Sequence, residues 1–79
     1  MMTTVYVLLN SIAKVKEFVT ITSRCPYDID VCSGRYVVDG KSIMGIFSLP
    51  LNDPLELHIM SDDCAVLLDE LSELLVSVN

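Results

Sequence analysis

Two short segments of this chain alternate apolar and polar residues, YDIDV at 27–31 and LELHIM at 55–60. A period of two is typical of a strand with one face in the core and the other in water. In the second segment, Leu55, Leu57 and Ile59 are predicted to point inward. Such strands form a sheet that is covered on one face only, so all helices should pack on the same side.

The first half of the chain supplies two further strands and a helix. The segment TVYVLL (4–9) is rich in β-branched and aromatic residues and predicts a strand. IAKVKEFVTITS (12–23) fits a helix, although FVTIT alone would suit a strand. Helix is favoured because the polar positions cluster on one face, with Ile12 and Val15 on the apolar one. Pro26 should end it.

Capping and turn residues delimit the elements that follow the first strand. Asn10 and Ser11 can cap the first helix. Ser33-Gly34 is a turn signal, after which RYVV (35–38) returns as a hairpin partner. Ser42 is a natural N-cap for a short helix over about residues 43–48.

The C-terminal segment predicts one long amphipathic helix. Ser61 should cap it, with Asp62 and Asp63 at the positive end of its dipole. The apolar stripe of this helix comprises Cys64, Leu67, Leu68, Leu71, Leu74, Leu75 and Val78. The predicted order is therefore βαββαβα, in an α+β fold with four antiparallel strands and three helices on one face. All 79 residues are expected to form one domain, 1–79.

Composition narrows the possible functions of this domain. All five Lys and Arg residues precede Ser42, whereas the chain from Ser42 onward carries seven acids and neither Lys nor Arg; the net charge is −6. This balance argues against nucleic-acid binding, which needs a basic face. Three cysteines without a CxxC pair predict free thiols, no metal or cofactor, and a cytosolic location. No apolar run is long enough to cross a membrane.

The central segment KSIMGIFSL (41–49), together with this order of elements, resembles HPr, the histidine-containing phosphocarrier of the bacterial sugar phosphotransferase system. Nearly the whole chain lines up. Lys41-Ser42-Ile43-Met44-Gly45 is similar to the regulatory-serine segment of HPr from Gram-positive bacteria. YDIDV is similar to the second strand of that family. The hairpin between the two segments is about two residues shorter here, and Ser33-Gly34 would accommodate the difference.

The phosphate acceptor of that family is missing. HPr carries its histidine in a Gly-(Ile/Leu)-His-x-Arg-Pro motif at the start of the first helix. Counting back without gaps from Tyr27, this motif falls on residues 11–16, where only Ile12 agrees. The histidine position is Ala13, and the arginine position is Val15. Because alanine has no nucleophile, the resemblance implies a protein that cannot transfer phosphate from this position and is not an enzyme.

The resemblance also suggests which residues bind partners. Ser42 would be a candidate for regulatory phosphorylation, and its role as an N-cap is the alternative. Of the apolar residues of the short helix, Met44 and Phe47 are expected to protrude. The expected partner is a protein of the sugar phosphotransferase or carbon-regulation machinery. The predicted binding residues are Lys14, Lys16, Lys41, Ile43, Met44 and Phe47.

Two other functions remain open from the sequence. The chain could be a phosphocarrier that uses another acceptor, such as its only histidine, His58. It could also be a structural dimerisation module that pairs through the open sheet face. The dimerisation idea rests on the first strand, where the residues of both faces are apolar. It assigns Val7 to the open face.

Overall fold

The computed structural model describes residues 2–78 as an antiparallel sheet of five strands with three helices packed on one face. The predicted α+β class and the single helical layer are confirmed, whereas the predicted number of four strands is one too few. The elements are β1 Thr3–Val7, α1 Ile12–Thr22, β2 Ile29–Ser33, β3 Tyr36–Asp39, α2 Ile43–Phe47, β4 Leu55–Ile59, α3 Ala65–Glu70 and β5 Leu75–Val76.

The strands lie in the order β3-β2-β4-β1-β5. The central strand β4 pairs with β1 on one side, with Val5 opposite Leu57, and with β2 on the other, with Val31 opposite Leu57. These three strands therefore place residues of the same parity in rows across the sheet. One set of rows faces the helices, and the other forms the open face.

The core lies between the helices and the inner face of the sheet. Leu55, Leu57 and Ile59 are fully buried there, as the alternation predicted. Val7 is also fully buried in this core. Its assignment to the open face was wrong, because Val7 shares its parity with Val5, whereas Tyr6 and Thr4 lie on the other face.

Helix α1 forms where the sequence favoured a helix. The Ser11 side chain caps it by accepting a hydrogen bond from the Lys14 backbone N–H at 3.2 Å, as predicted. Its buried residues are Val15, Phe18, Ile21 and Thr22. Ile12, expected on the apolar stripe, is instead 63% exposed.

The hairpin after α1 turns one residue later than predicted. Ser33 pairs with Tyr36, so the two-residue loop is Gly34-Arg35. Gly34 has a φ of +58°, a backbone conformation that glycine adopts without steric cost. Glycine at the first loop position is typical of a tight hairpin turn, which accounts for the short connection.

The predicted long C-terminal helix is wrong in extent. Helix α3 ends at Glu70, its N-cap residue is Cys64 rather than Ser61, and the Cys64 side chain makes no capping hydrogen bond. The Ser61 hydroxyl instead accepts a hydrogen bond from the Asp63 N–H, so Asp62 and Asp63 precede the helix rather than opening it.

After α3 the chain turns back and joins the sheet as β5. Leu75 lies opposite Val7, and the Leu8 N–H donates to the Leu74 carbonyl at 3.0 Å. Leu71 and Leu74 remain buried. The residues of the predicted apolar stripe therefore reach the core, but partly from a turn and a strand rather than from a helix. β5 satisfies backbone groups along the edge of β1, which a longer helix would leave unpaired.

Candidate functional site

The first turn of α1 is where the resemblance places a phosphate acceptor. Ala13 stands there with an exposed side chain, two residues after the cap residue Ser11. The Lys14 ammonium donates to the Asn10 side-chain oxygen at 3.1 Å. The turn therefore presents a methyl group and a tethered cation, neither of which accepts a phosphoryl group at neutral pH.

Ser42 opens α2 as predicted. Its Oγ accepts a hydrogen bond from the Gly45 N–H at 3.1 Å. Gly45 also fits closely, since a Cβ at this position would lie 3.3 Å from Ser42 Oγ and 3.3 Å from Val38 Cβ. Ser42 is thus a structural cap, and its half-buried side chain lies at the start of the helix that carries the exposed apolar residues.

Helix α2 divides its four large apolar side chains between core and solvent. Ile46 is fully buried, and Ile43 packs against the core while half-buried. Met44 is 78% exposed and Phe47 is 39% exposed, so both protrude as expected. Exposed Ile12 adds a third apolar side chain from α1, the helix that α2 packs against.

Ile12, Met44 and Phe47 are the exposed large apolar side chains of the packed helices α1 and α2, and we call this set the apolar patch. Sequence reasoning missed Ile12 because its spacing matched the apolar stripe of α1. The signal that could have found it is its position in the first turn, where a side chain can extend past the end of the core.

The three predicted basic residues differ in their surroundings. Lys16 is exposed on α1, and Lys14 is half-buried at its start. Lys41 precedes α2, and its ammonium donates to the Cys25 carbonyl at 2.8 Å. Lys41 therefore ties α2 to the loop after α1, which leaves Lys14 and Lys16 as the cations of the α1 N-terminal half.

The open face of the sheet carries a connected polar row that the sequence did not predict. Glu56 accepts hydrogen bonds from the Tyr6 hydroxyl at 3.3 Å and from His58 Nε2. The other ring nitrogen, Nδ1, lies 3.7 Å from the Cys32 sulfur. Since a carboxylate only accepts, Nε2 carries the proton, and in the neutral ring Nδ1 accepts from the thiol. The alternation of LELHI places Glu56 beside His58, but only the strand register brings in Cys32 and Tyr6.

These contacts shift several pKa values. The hydrogen bond from His58 is the main cause that holds the pKa of Glu56 below its usual value. The negative charge of Glu56 raises the pKa of Tyr6. Burial, followed by the charges of Glu56 and Asp30, raises the pKa of the Cys32 thiol. Cys32 is therefore held as a thiol rather than as a reactive thiolate.

The sheet separates His58 from the N-terminus of α1. Helix α1 buries Val15 and Phe18 in the core on the helical face, whereas His58 contacts Glu56 and Cys32 on the open face. His58 is thus not a relocated substitute for a histidine beside the first turn of α1.

Two further properties concern ligands and membranes. Within residues 2–78, no three His, Cys, Asp or Glu side chains are grouped so that they could hold a metal ion. No helix in the same range has the length and apolar character needed to span a membrane.

Comparison with solved structures finds two bacterial proteins of the same architecture. HPr-C-His from Thermoanaerobacter tengcongensis is 25% identical, with a TM-score of 0.72, over 92% of this chain and 88% of that one. The phosphocarrier protein HPr from Bacillus anthracis str. Ames is also 25% identical, with a TM-score of 0.72, over 96% of both chains. The fold is HPr-like. No protein-family model matches the sequence, and a search of curated proteins found no significant match.

Proposed function

We propose that this HPr-like chain is related to the bacterial sugar phosphotransferase system and acts as a non-catalytic binding or regulatory module. The observation that carries the proposal is Ala13, exposed in the first turn of α1. The resemblance aligns this position with the acceptor histidine of HPr. A methyl group cannot form a phosphoramidate, so a partner could recognise the fold without passing phosphate to it.

The proposed binding surface is the apolar patch with Lys14 and Lys16 beside it. Exposed apolar side chains next to a polar rim are typical of protein interfaces, and methionine adapts its packing to different partners. The cations of α1 favour a partner with acidic groups around an apolar centre. The proposed partner is a component or regulator of sugar uptake that binds HPr.

Phosphorylation of Ser42 is the proposed regulation of this surface. A phosphate would add a charge close to −2 two residues before the exposed Met44. The modified oxygen is the one that caps α2, so the phosphate would change both the local charge and the start of the helix. Binding to an apolar centre with acidic surroundings should then weaken.

A phosphoryl-transfer assay tests whether this chain lacks the carrier reaction. The protein is incubated with phosphoenolpyruvate and the general phosphotransferase kinase, and an HPr with its histidine serves as the positive control. We expect no histidyl label on this chain. Stable label that disappears in a His58→Ala variant would support His58 as an alternative acceptor and would contradict the proposal.

Capture of partners from the native cytosol tests the surface. Met44→Asp and Phe47→Asp should each reduce recovery of the partners that bind the unmodified chain. Val66→Asp is the matched control, because Val66 is 76% exposed on α3, outside the patch. Ser42→Asp tests the proposed regulation. Equal recovery of the same partners with the two patch variants and with the control would contradict the docking role.

A further inference from the structure

β3 is an edge strand with exposed apolar side chains. It pairs with β2 on one side and ends the sheet on the other. Tyr36 is 66% exposed and Val37 is 60% exposed. The strand Tyr36–Asp39 is short and regularly paired, contains no proline or lysine, and carries its one charged residue, Asp39, at its end. Its free edge is therefore competent to accept another strand.

The hairpin register identifies the backbone groups on this edge. Ser33 and Tyr36 flank the two-residue loop, a position at which hairpin residues exchange both backbone hydrogen bonds. Because bonded and non-bonded pairs alternate, Val38 also directs its N–H and C=O toward β2. The N–H and C=O of Val37 therefore point away from the sheet, at the middle of the free edge.

We propose that β3 is a homodimerisation edge, where a second copy of this chain adds its own β3 antiparallel, with Val37 opposite Val37. This register joins the outward backbone groups of both Val37 residues in one hydrogen-bonded pair. The two sheets then continue into each other across a twofold axis, the commonest symmetry of homo-oligomers. The contact runs along the edge of the sheet and is independent of the proposed function.

The charges around Val37 are self-complementary. Arg35 precedes Val37 by two residues, and Asp39 follows it by two. Antiparallel pairing centred on Val37 therefore brings Arg35, the last residue of the hairpin loop, close to Asp39 of the other copy. One carboxylate oxygen of Asp39 accepts the Lys41 backbone N–H at 2.9 Å, and the other remains for Arg35. Arg35 and Asp39 balance each other, so this edge carries no net charge in a chain of net charge −6. The two acidic molecules would meet where their mutual repulsion is weakest.

A groove beside β3 fits a side chain of the second copy. It has a volume of about 430 Å³ and lies between the strand and the segment that follows α2; it is lined by Tyr36, Val37, Val38, Ser48, Leu49 and Pro50. In the proposed register, Tyr36 of the second copy lies opposite Val38, at the side of this groove. Pairing of an aromatic and a β-branched residue across strands is favourable, so the ring gains apolar contact there. A second copy supplies both the opposite charges and the Tyr36 ring that fit this edge, which favours it over an unrelated extended peptide.

The test reverses the charges at positions 35 and 39. The dimer dissociation constant is measured by sedimentation equilibrium over a wide range of protein concentration. The unmodified chain is expected to form a dimer. Arg35→Glu and Asp39→Lys each place like charges opposite one another at two symmetric sites, so each should raise the dimer dissociation constant about tenfold or more. An equimolar mixture of the two variants should form a heterodimer, because each charge then faces its opposite.

Control variants separate this edge from general charge effects and from misfolding. Arg24→Glu and Asp53→Lys make the same charge changes at exposed positions outside β3 and should leave the dimer unchanged. Val37→Pro removes the outward N–H while the bonds from Tyr36 and Val38 to β2 remain, so it should give a folded monomer by circular dichroism. An unmodified chain that stays monomeric at the highest concentration would overturn the proposal. So would a mixture of Arg35→Glu and Asp39→Lys that shows no gain over the separate variants.

Discussion

Ser42 shows that one residue can have a structural role that is independent of modification. Its hydroxyl accepts from the Gly45 N–H and stabilises the start of a helix of only five residues. A helix this short depends on its cap and on packing, because its intrinsic stability in water is low. The cap would select Ser, Thr, Asp or Asn at this position whether or not a kinase modifies the residue.

The capping role predicts a stability order for Ser42 variants. Ser42→Ala should lower the free energy of unfolding by about 1 kcal/mol, since the Gly45 N–H loses its partner. Ser42→Asp should stay close to the unmodified chain, because its carboxylate can cap the same N–H. Urea unfolding followed by circular dichroism measures both, with Ser11→Ala in α1 as a second cap variant. Equal stability of Ser42→Ala and the unmodified chain would show that the cap contributes nothing.

The hydrogen bond between Glu56 and His58 predicts that the free energy of unfolding depends on pH. The pKa of Glu56 is lower in the folded chain than in the unfolded chain, mainly because His58 donates a hydrogen bond to it. The ionised carboxylate therefore stabilises the fold above roughly pH 4.3, the ordinary pKa of glutamate, and this contribution is lost as the pH falls further. Glu56→Gln should be less stable than the unmodified chain at neutral pH, and the difference should shrink in acid.

Urea midpoints measured from about pH 3 to about pH 7 check this prediction, because this range brackets the titration of the carboxylate. Asp53→Asn is the matched control, since it removes one negative charge from an exposed turn and leaves His58 untouched. If both variants show the same pH dependence, general charge repulsion rather than the contact with His58 is responsible.

At the scale of elements, β5 is the main departure from the sequence prediction. Residues 64–78 have the spacing of an amphipathic helix, and the segment begins as one in α3. Local spacing could not reveal that β1 offers a second edge, with which Leu75–Val76 pairs. Backbone hydrogen bonds along that edge compete with further helix formation, and they involve residues about 70 positions away in sequence.

A proline in β5 tests this strand. Val76→Pro removes a backbone donor within the two-residue pairing with β1, whereas Val78→Pro lies beyond it. We expect the first substitution to lower the free energy of unfolding by about 1–3 kcal/mol and to speed hydrogen exchange of the Leu8 amide, which the Leu74 carbonyl protects. The second should have little effect. Rapid exchange of the Leu8 amide in the unmodified chain would contradict the β5 pairing.

At the scale of the whole molecule, the net charge of −6 and its uneven distribution affect stability. Seven of the eleven acids follow Ser42, where no Lys or Arg balances them. The fold brings part of this charge near a cation: Arg24, after α1, donates to Glu70 of α3 at 2.8 Å. Both side chains are substantially exposed, so this ion pair offsets little of the repulsion.

Salt should therefore stabilise the folded chain. Raising NaCl to about 0.5 M shortens the screening length to a few ångströms and weakens repulsion among the acids. The urea midpoint is expected to rise with salt, and a double variant Asp62→Asn, Asp63→Asn should show a smaller rise. A midpoint that falls with added NaCl would mean that favourable ion pairs, rather than repulsion, dominate the electrostatics of the fold.

Features that depend on neighbours along the chain could be predicted from the sequence. Strict alternation selected the inward side of β4, and serine at helix starts identified the caps of α1 and α2. A short one-turn helix also required Met44 to protrude, because four large apolar residues cannot all face one core.

Features that depend on distant residues could not be predicted and became visible in the folded structure. These are the conversion of the last apolar stripe into β5, the exposure of Ile12, and the row that joins Tyr6, Glu56, His58 and Cys32. The physical reason is that periodicity reports the local backbone period, whereas strand register and edge pairing are set by hydrogen bonds between segments far apart in the chain.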